Sequence, residues 1–155
     1  MMIRKAKRSD AVQLGVVLKE CYTISSLEEG KHVFLSEFGK AINYIVAEET
    51  SKIIGFVTWI PHGLPKHGLV ELDRIGVLPA HRGNDVAQQL VNALIQEAQT
   101  YFEKNASHLR KLYLLTHADN ARAQKFYAKM GLSPETTLKS HFYAEKDELV
   151  MSRFF

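Results

Sequence analysis

The order of apolar and polar residues along the chain predicts strands and helices separated by short polar or glycine-rich turns. Runs rich in branched and aromatic residues predict strands at 2–6, 44–48, 53–60, 69–78, 111–115, 141–143 and 149–151. Apolar residues at helical spacing predict helices at about 9–22, 86–102 and 119–130, and one helix or two short helical pieces within 24–42. Ser9 is the predicted N-cap of the first helix, and Gly131 stands where a glycine commonly ends a helix.

The order of these elements places a helix between two apolar strands in the middle of the chain. Such a unit pairs its two strands in parallel through a right-handed crossover. The outer strands follow one another through short turns, which favours antiparallel hairpins. The predicted fold class is therefore α/β (α+β), with a mixed central sheet of about seven strands and about four flanking helices. Because 155 residues is a common size for one domain, we expect a single domain over residues 1–155.

Composition narrows the class of protein without naming a function. Hydrophobic residues make up 46% and charged residues 24%, which is ordinary globular usage and excludes a disordered tail. Cys21 is the only cysteine, so no internal disulfide can form; the seven histidines lack a metal-binding spacing, and no metal is expected. The apolar runs are short and the first residues show no signal-peptide pattern, so we expect a cytoplasmic protein outside the membrane.

The net charge of +3 raises the question of a nucleic-acid partner. Lysine and arginine are scattered, and their densest cluster, at 4–8, follows the first strand, where charges usually face water. We therefore expect no nucleic-acid partner, and a DNA- or RNA-binding domain ranks last among the functions considered. A modest positive field also suits an anionic ligand such as a phosphorylated cofactor.

The stretch 70–88 is predicted to form a strand, a tight loop and the start of a helix. Its loop places Arg82 beside Gly83, just before the helix begins near Val86. Backbone N–H groups in the first turn of a helix have no partner within the helix, and the helix dipole favours an anion there. A cradle for a pyrophosphate is one interpretation of this loop, and a simple turn is the other.

A second strand followed by a helix is predicted at 112–132. Asn120, Ala123 and Tyr127 stand at positions i, i+3 and i+7, so they share one face of that helix. Phe126 and Met130 fall on a neighbouring face of the kind that packs into a core. By itself, Tyr127 would more often be a packed aromatic residue than an acid.

Together the two stretches resemble the GNAT superfamily of acyl-CoA-dependent N-acetyltransferases. The family's cofactor motif (Arg or Gln, two residues, Gly, one residue, Gly or Ala) is similar to residues 82–87. Its second motif is matched by Asn120, Ala123, Phe126, Tyr127 and Gly131. The resemblance covers nearly the whole chain in the right order, and the ending at 142–151 is most similar to small bacterial polyamine-type acetyltransferases.

The resemblance implies direct transfer of an acetyl group from acetyl-CoA to a primary amine, either a small amine or polyamine or a protein amine. It also implies that the parallel strand pair splays, with the pantetheine arm of the cofactor along the first strand. Val77 would donate its N–H to the developing oxyanion, Asn120 would bind the pantetheine amides, and Tyr127 would protonate or hydrogen-bond the leaving sulfur. The cofactor-binding residues it implies are Ile75, Gly76, Val77, Arg82, Gly83, Asn84, Asp85, Val86, Ala87, Gln88, Asn120, Ala123 and Tyr127.

The base that takes the proton of the amine has more than one candidate. Glu71 and Asp73 stand two apart in a predicted strand and so face the same side. Either carboxylate could take the proton, and either could instead pair with Arg74 or face water. His117, at the end of the next strand, is a rival because an imidazole exchanges protons near neutral pH. His117 could equally lie at the entry to the following helix without any catalytic role.

The first helical region often shapes the acceptor pocket in this family. Aromatic residues of this region and of the third strand would either line such a pocket or pack into the core; they are Tyr22, Phe34, Phe38 and Trp59. Cys21 is expected to be a small buried hydrophobic residue rather than a nucleophile.

Two positions depart from the family's cofactor motif. Asp85 stands where the family has Gly, and Asn84 stands where many members carry Lys. A carboxylate beside a pyrophosphate is repelled unless it turns outward or is paired, for example with Arg82. Asp85 therefore motivates an alternative function, a non-catalytic GNAT-like module that binds CoA or a protein through a weakened cofactor site. Because dimers are the commonest soluble oligomers, a homodimer is a further expectation.

Overall fold

The computed structural model describes all 155 residues and contains seven strands and four α-helices. Strands β1 to β7 are Met2–Lys5, Asn43–Glu49, Lys52–His62, Leu69–Val77, Lys111–His117, Ser133–Tyr143 and Lys146–Phe154. Helices α1 to α4 are Ala11–Cys21, Leu27–Glu37, Val86–Lys104 and Ala121–Lys129. Short 3-10 turns cover Arg8–Asp10, Pro65–His67 and Pro79–His81. None of the helices combines the length and the apolar character needed to cross a bilayer.

The seven strands form one mixed sheet in the order β1-β2-β3-β4-β5-β7-β6. β4 and β5 are parallel, whereas β1–β2, β2–β3, β5–β7 and β6–β7 are antiparallel pairs. The parallel register ends at Glu71–Tyr113, although β4 continues to Val77 and β5 to His117. The predicted mixed sheet with a splayed parallel pair in the middle is therefore confirmed.

Several predicted boundaries are wrong for identifiable reasons. Ser9 does not cap α1, which begins after Asp10, and the Asp10 carboxylate instead accepts from the Lys7 N–H at 2.7 Å. The helix predicted from 119 begins at Ala121, because the Asn120 side chain caps it. The last two strands, predicted at 141–143 and 149–151, extend over 133–143 and 146–154. β6 is exposed along almost its whole length, so no apolar alternation marks it in the sequence.

The chain divides into two compact units. The first comprises Met1–Ile60 and Arg74–Glu97. In it, the region 24–42 forms a single helix, α2, whose N-terminus is capped by the Ser26 side chain. Its core contains buried residues of α1, α2, β2 and β3, and the Phe34 ring meets the Tyr44 ring edge-on at 5.0 Å.

The second unit comprises Pro61–Asp73 and Ala98–Phe155. Its strands β5 and β7 pair over seven residues, from Lys111–Phe154 to His117–Glu148. Side chains of both strands are buried, among them Leu112, Leu114 and Met151. Gly131 ends α4 with a φ of +86°, in the left-handed region that favours glycine, as the sequence predicts.

Helices α1 and α2 of the first unit approach closely at two glycines. A Cβ placed on Gly30 would lie 2.6 Å from the Gly15 carbonyl oxygen and 2.9 Å from the Gly15 Cα. Both atoms belong to the backbone of α1, so the clash could be relieved only by moving a helix. Glycine at position 30 therefore permits the two helix backbones to touch.

Replacing Gly30 with Ala should destabilise the protein by about 1–3 kcal/mol, the usual cost of overpacking, even though alanine is the better helix former. Urea unfolding measures the change. Ser36→Ala, at an exposed position of α2, is the matched control and should change stability by no more than about 0.5 kcal/mol. A Gly30→Ala variant as stable as the natural chain would contradict the close approach.

Candidate functional site

One edge of β4 carries the backbone groups for which a cofactor contact is predicted. The Arg74 N–H donates to the Thr58 Oγ1 of β3 at 2.9 Å, so it points towards β3. Because N–H and C=O groups alternate between the two edges of a strand, those of Ile75 and Val77 point to the opposite edge. The parallel register has ended by this point of β4, at Glu71. These groups therefore need partners other than a strand.

Side chains of the first unit supply partners to this edge. The Tyr22 hydroxyl accepts from the Ile75 N–H at 2.9 Å and donates to the Ile75 oxygen at 2.9 Å. Arg82 Nε donates to the Val77 oxygen at 3.0 Å, and the Cys21 Sγ lies 3.6 Å from the same oxygen. Burial raises the pKa of the Cys21 thiol, so this group stays protonated. No periodic signal in the sequence predicts these contacts.

The aromatic residues considered for an acceptor pocket have different positions. Phe34 and Trp59 are buried, and the Trp59 indole N–H donates to Glu97 at 3.3 Å. Phe38 packs against Phe34 with ring centroids 5.2 Å apart. Tyr22 is 37% exposed and is the member of the set whose hydroxyl reaches β4. Phe34 and Trp59 are therefore core residues, whereas Tyr22 lies at the candidate site.

The loop before α3 has the backbone shape of an anion cradle. Gly83 and Asp85 both adopt the left-handed region, with φ values of +84° and +58°. A Cβ on Gly83 would meet nothing within 4 Å, so the requirement for glycine there is conformational rather than steric. The Asp85 carbonyl accepts from the Gln89 N–H at 3.0 Å, which begins the helical hydrogen bonding. The N–H groups of the three preceding residues have no acceptor within the helix; they belong to Val86, Ala87 and Gln88.

The same loop is exposed and carries charges of both signs. Arg82, Gly83, Asn84 and Asp85 are all exposed. Through Nε, Arg82 is anchored to the Val77 carbonyl, so its guanidinium is held beside the loop. Aspartate is one of the few residue types besides glycine that readily adopt a left-handed backbone, which fits its presence at position 85. The loop geometry thus explains why glycine is expected at position 85 and how aspartate can replace it.

In the second unit, Glu71 occupies the last position of the β4–β5 register. Its Oε2 lies 2.7 Å from the His62 Nε2 and accepts from the Tyr113 hydroxyl at 3.2 Å. The Glu71 side chain is 21% exposed. Burial, together with the Glu71 carboxylate, raises the pKa of Tyr113 to about 12, so the phenol keeps its proton and donates. Asp73, the other candidate base, is half-buried two residues further along β4.

Arg74 is the partner that the sequence suggests for Glu71 or Asp73. It belongs to the first unit and forms an ion pair there. Its Nη2 lies 2.5 Å from the Glu37 Oε1, and its Nη1 donates to the Tyr44 hydroxyl at 3.3 Å. Burial, with a contribution from Glu37, raises the pKa of Tyr44, whose hydroxyl also bonds Glu37. Arg74 therefore has a structural partner on α2.

Helix α4 of the second unit carries the other predicted cofactor residues. The Asn120 Oδ1 accepts from the Ala123 N–H at 3.1 Å, which caps the helix and leaves the Asn120 Nδ2 as a donor. Tyr127 is 8% exposed, and burial raises its pKa to about 12. The phenol therefore remains protonated throughout the neutral pH range.

His117, the rival base, is held in a cross-strand pair of the second unit. Its Nδ1 lies 2.5 Å from the Glu148 Oε1, and the two residues are register partners on β5 and β7. The Glu148 side chain is 2% exposed, and a buried carboxylate is costly without a partner. This pair gives one nitrogen of His117 a structural function.

Replacing Tyr22 with Phe should accelerate amide hydrogen exchange at Ile75 about fivefold, which corresponds to losing a hydrogen bond of about 1 kcal/mol. The phenylalanine ring keeps the packing but cannot accept from the Ile75 N–H. Exchange measured by NMR in the ligand-free protein tests this. Tyr143→Phe, at an exposed position, is the control and should leave Ile75 unchanged. Equal exchange at Ile75 in the Tyr22→Phe variant would show that the hydroxyl does not protect it.

Solved structures that superpose on the whole chain include several acetyltransferases. A GNAT-family acetyltransferase from Desulfovibrio desulfuricans superposes with a TM-score of 0.82 at 18% identity, over 99% of this chain and 98% of that chain. A point mutant of spermidine N-acetyltransferase from Vibrio cholerae gives 0.79 at 22% identity, over 99% and 95%. An aminoglycoside 6'-N-acetyltransferase complexed with coenzyme A gives 0.76 at 18% identity, over 99% and 97%. At these identities the similarity shows the fold alone.

The sequence itself also matches a family model. No curated protein sequence matches the chain significantly. The model of the acetyltransferase (GNAT) family, however, matches residues 12–132, which is well over half of the chain. That match includes the loop before α3 and the face of α4 that carries Asn120 and Tyr127. The chain therefore belongs to the GNAT family of acetyltransferases.

Proposed function

We propose that this protein is an N-acetyltransferase that moves an acetyl group from acetyl-CoA directly to a primary amine. The observation that carries the proposal is the loop before α3. The loop has two residues in the left-handed backbone conformation and an Arg82 side chain that is hydrogen-bonded to the Val77 carbonyl. It leads into the first-turn N–H groups of a 19-residue helix. Such an arrangement binds the pyrophosphate of a nucleotide-type cofactor. Family membership, and the coenzyme A complex of a protein with the same fold, support the same cofactor.

The residues present fit this cofactor in shape, and mostly in charge. Gly83 leaves open space above the loop backbone, and Arg82 provides a cation. Asn84 can donate from its side-chain amide, although it brings no charge. Asp85 opposes an anion, and its exposure lets water screen the repulsion. When bound, acetyl-CoA supplies a thioester whose acyl carbon accepts an amine and whose thiol departs.

The edge of β4 that faces away from β3 would bind the remainder of the cofactor. We assign the pantetheine arm to the backbone of residues 75–77, where Gly76 adds no side chain. The Val77 N–H would donate to the acyl oxygen as negative charge develops on it. The Asn120 Nδ2, free because Oδ1 caps α4, would donate to a pantetheine carbonyl. Ala123 is half-buried on the next turn, and its small side chain adds little bulk to this face of α4.

Tyr127 would stabilise the departing sulfur. Its pKa of about 12 lies above the pKa of an ordinary thiol, which is about 8.5, so complete transfer of its proton to a thiolate is uphill. A hydrogen bond from the phenol to the sulfur has no such cost and still stabilises the negative charge. We therefore assign Tyr127 a hydrogen bond to the leaving group rather than full protonation.

The acceptor amine must lose a proton before it attacks. Glu71 and Asp73 both lie on β4 and could accept that proton, whereas one nitrogen of His117 is engaged by Glu148. We assign the proton to a β4 carboxylate. Spermidine and aminoglycoside acetyltransferases with this fold favour a cationic small amine as the acceptor, and ribosomal-protein-alanine acetyltransferases with the same fold favour a protein amine equally.

A second candidate function is a non-catalytic module that binds CoA or a protein through a weakened cofactor site. The observation that favours it is Asp85, whose carboxylate stands in the anion cradle. The two functions differ in what this carboxylate does to acetyl-CoA affinity. They differ also in whether Tyr127 matters for turnover.

Asp85→Asn and Asp85→Gly should each tighten acetyl-CoA binding about twofold to fivefold, because removing an exposed like charge is worth up to about 1 kcal/mol. Calorimetry measures the dissociation constants. Asparagine retains the tolerance for a left-handed backbone, so it separates charge from conformation. Glu103→Gln, at the exposed far end of α3, controls for net charge and should change little. If the natural chain does not bind acetyl-CoA while both variants do, the module becomes the better description.

Tyr127→Phe should lower kcat about tenfold to a hundredfold while the dissociation constant of acetyl-CoA changes by less than about threefold. The reason is that the hydrogen bond to sulfur forms mainly as the thiol departs. Release of free thiol with a panel of polyamines, aminoglycosides and peptide amines gives the rate. Tyr143→Phe is the matched control and should retain full kcat. Full turnover by Tyr127→Phe would contradict the role of Tyr127, and no thiol release by the natural chain would contradict the proposed function.

A further inference from the structure

A histidine that the family motifs do not include contacts the candidate base. His62 is the last residue of β3, and Glu71 lies on β4 within the same unit. The His62 Nε2 and the Tyr113 hydroxyl approach the same carboxylate oxygen, Oε2, at 2.7 and 3.2 Å. The two rings lie 5.9 Å apart at an interplanar angle of 36°. The three side chains therefore form one compact group around Oε2.

This arrangement makes the two oxygens of Glu71 unequal. Two donors on Oε2 fix the plane of the carboxylate, and neither of them bonds Oε1. Tyr113, with a pKa raised to about 12, keeps its proton and donates it to the carboxylate. A general base works best when its accepting atom is held in a fixed position, because misplacement lowers the rate steeply.

The position of Glu71 adds to this restraint. Its backbone is paired with Tyr113 in the last register position before β4 and β5 part. The carboxylate is thus held both through its main chain and through two side-chain contacts. The His62 side chain is 38% exposed and the Glu71 side chain is 21% exposed, so the pair lies where solvent reaches it.

We propose that His62 is a positioning residue for Glu71, which fixes Oε2 and leaves Oε1 to accept the proton of the amine. This rests on the proposed function and deepens it by choosing Glu71 as the base. The acceptor ammonium gives one proton to Oε1, and Oε1 later passes it to water. The amine lone pair forms the C–N bond as the C–S bond breaks. The nitrogen then loses a second proton to the departing sulfur, which leaves as a thiol.

The neighbouring histidine offers a matched control. The His67 Nδ1 accepts from the Leu64 N–H at 3.0 Å, so this ring holds the connection between β3 and β4 without a contact to Glu71. Removing His67 therefore disturbs the same connection. A purely structural function of His62 would give both histidines similar effects.

Steady-state kinetics with acetyl-CoA and the best amine of the panel tests the proposal. His62→Ala should lower kcat about tenfold to a hundredfold, with the KM for the amine within about threefold. His62→Gln, which retains a side-chain N–H donor, should recover most of that loss. Glu71→Gln should lose more, and His62→Ala combined with Glu71→Gln should be no slower than Glu71→Gln alone, because His62 acts through Glu71. His67→Ala should keep kcat within about twofold.

Opposite results would overturn the proposal. If the losses of His62→Ala and Glu71→Gln multiply, or if His67→Ala loses as much as His62→Ala, His62 does not act through Glu71. The ¹⁵N resonance of the His62 Nε2 provides a measurement without turnover. It should move in Glu71→Gln while that of His67 stays, and an unmoved resonance overturns the contact itself. A natural chain inactive with every amine overturns the proposed function as a whole, whereas an active chain indifferent to His62→Ala overturns only the positioning role.

Discussion

The structure depends on the point at which β4 leaves β5. After Glu71–Tyr113 the parallel register stops, and the backbone groups on one edge of β4 have to be satisfied without a strand. Leaving an amide or carbonyl without a partner costs about 1–3 kcal/mol where the group is buried, so side chains that reach this edge stabilise it. The Tyr22 hydroxyl and the Arg82 guanidinium meet part of the requirement. The same edge can therefore offer its groups to a ligand only in competition with the protein's own side chains.

This competition links the cofactor loop to the strand within the first unit. Arg82 anchors the loop to Val77 through its Nε, and under the proposed function other N–H groups of its guanidinium would donate to the anion. Tyr22 differs, since its hydroxyl bonds both the N–H and the carbonyl of Ile75. A ligand that binds along residues 75–77 can thus share Arg82 but must displace Tyr22.

The sequence predicts those features that repeat or that have a local cause. The strand-to-helix motifs, the parallel pair and the ending of α4 at Gly131 all follow from periodicity and from glycine's backbone freedom. The full extent of β6 could not be predicted from the sequence. An exposed edge strand is held by its hydrogen bonds to β7 and needs no alternation of apolar and polar residues. The role of Tyr22 could not be predicted from the sequence, because its partner, Ile75, lies 53 positions away. No local pattern records a contact between a side chain and a distant backbone group.

Asp85 shows how backbone conformation and charge can be separated at one position. Its φ of +58° belongs to a region in which most side chains are strained, so a loop of this shape favours glycine, asparagine or aspartate at position 85. Aspartate keeps the loop geometry at modest conformational cost, and the unfavourable contribution that remains is electrostatic. An exposed charge of this kind is weakened by salt within a Debye length of about 8 Å at physiological ionic strength. The loop can thus retain the shape of an anion site while the aspartate adds a repulsion that salt weakens, and a glycine at the same position would lack that repulsion.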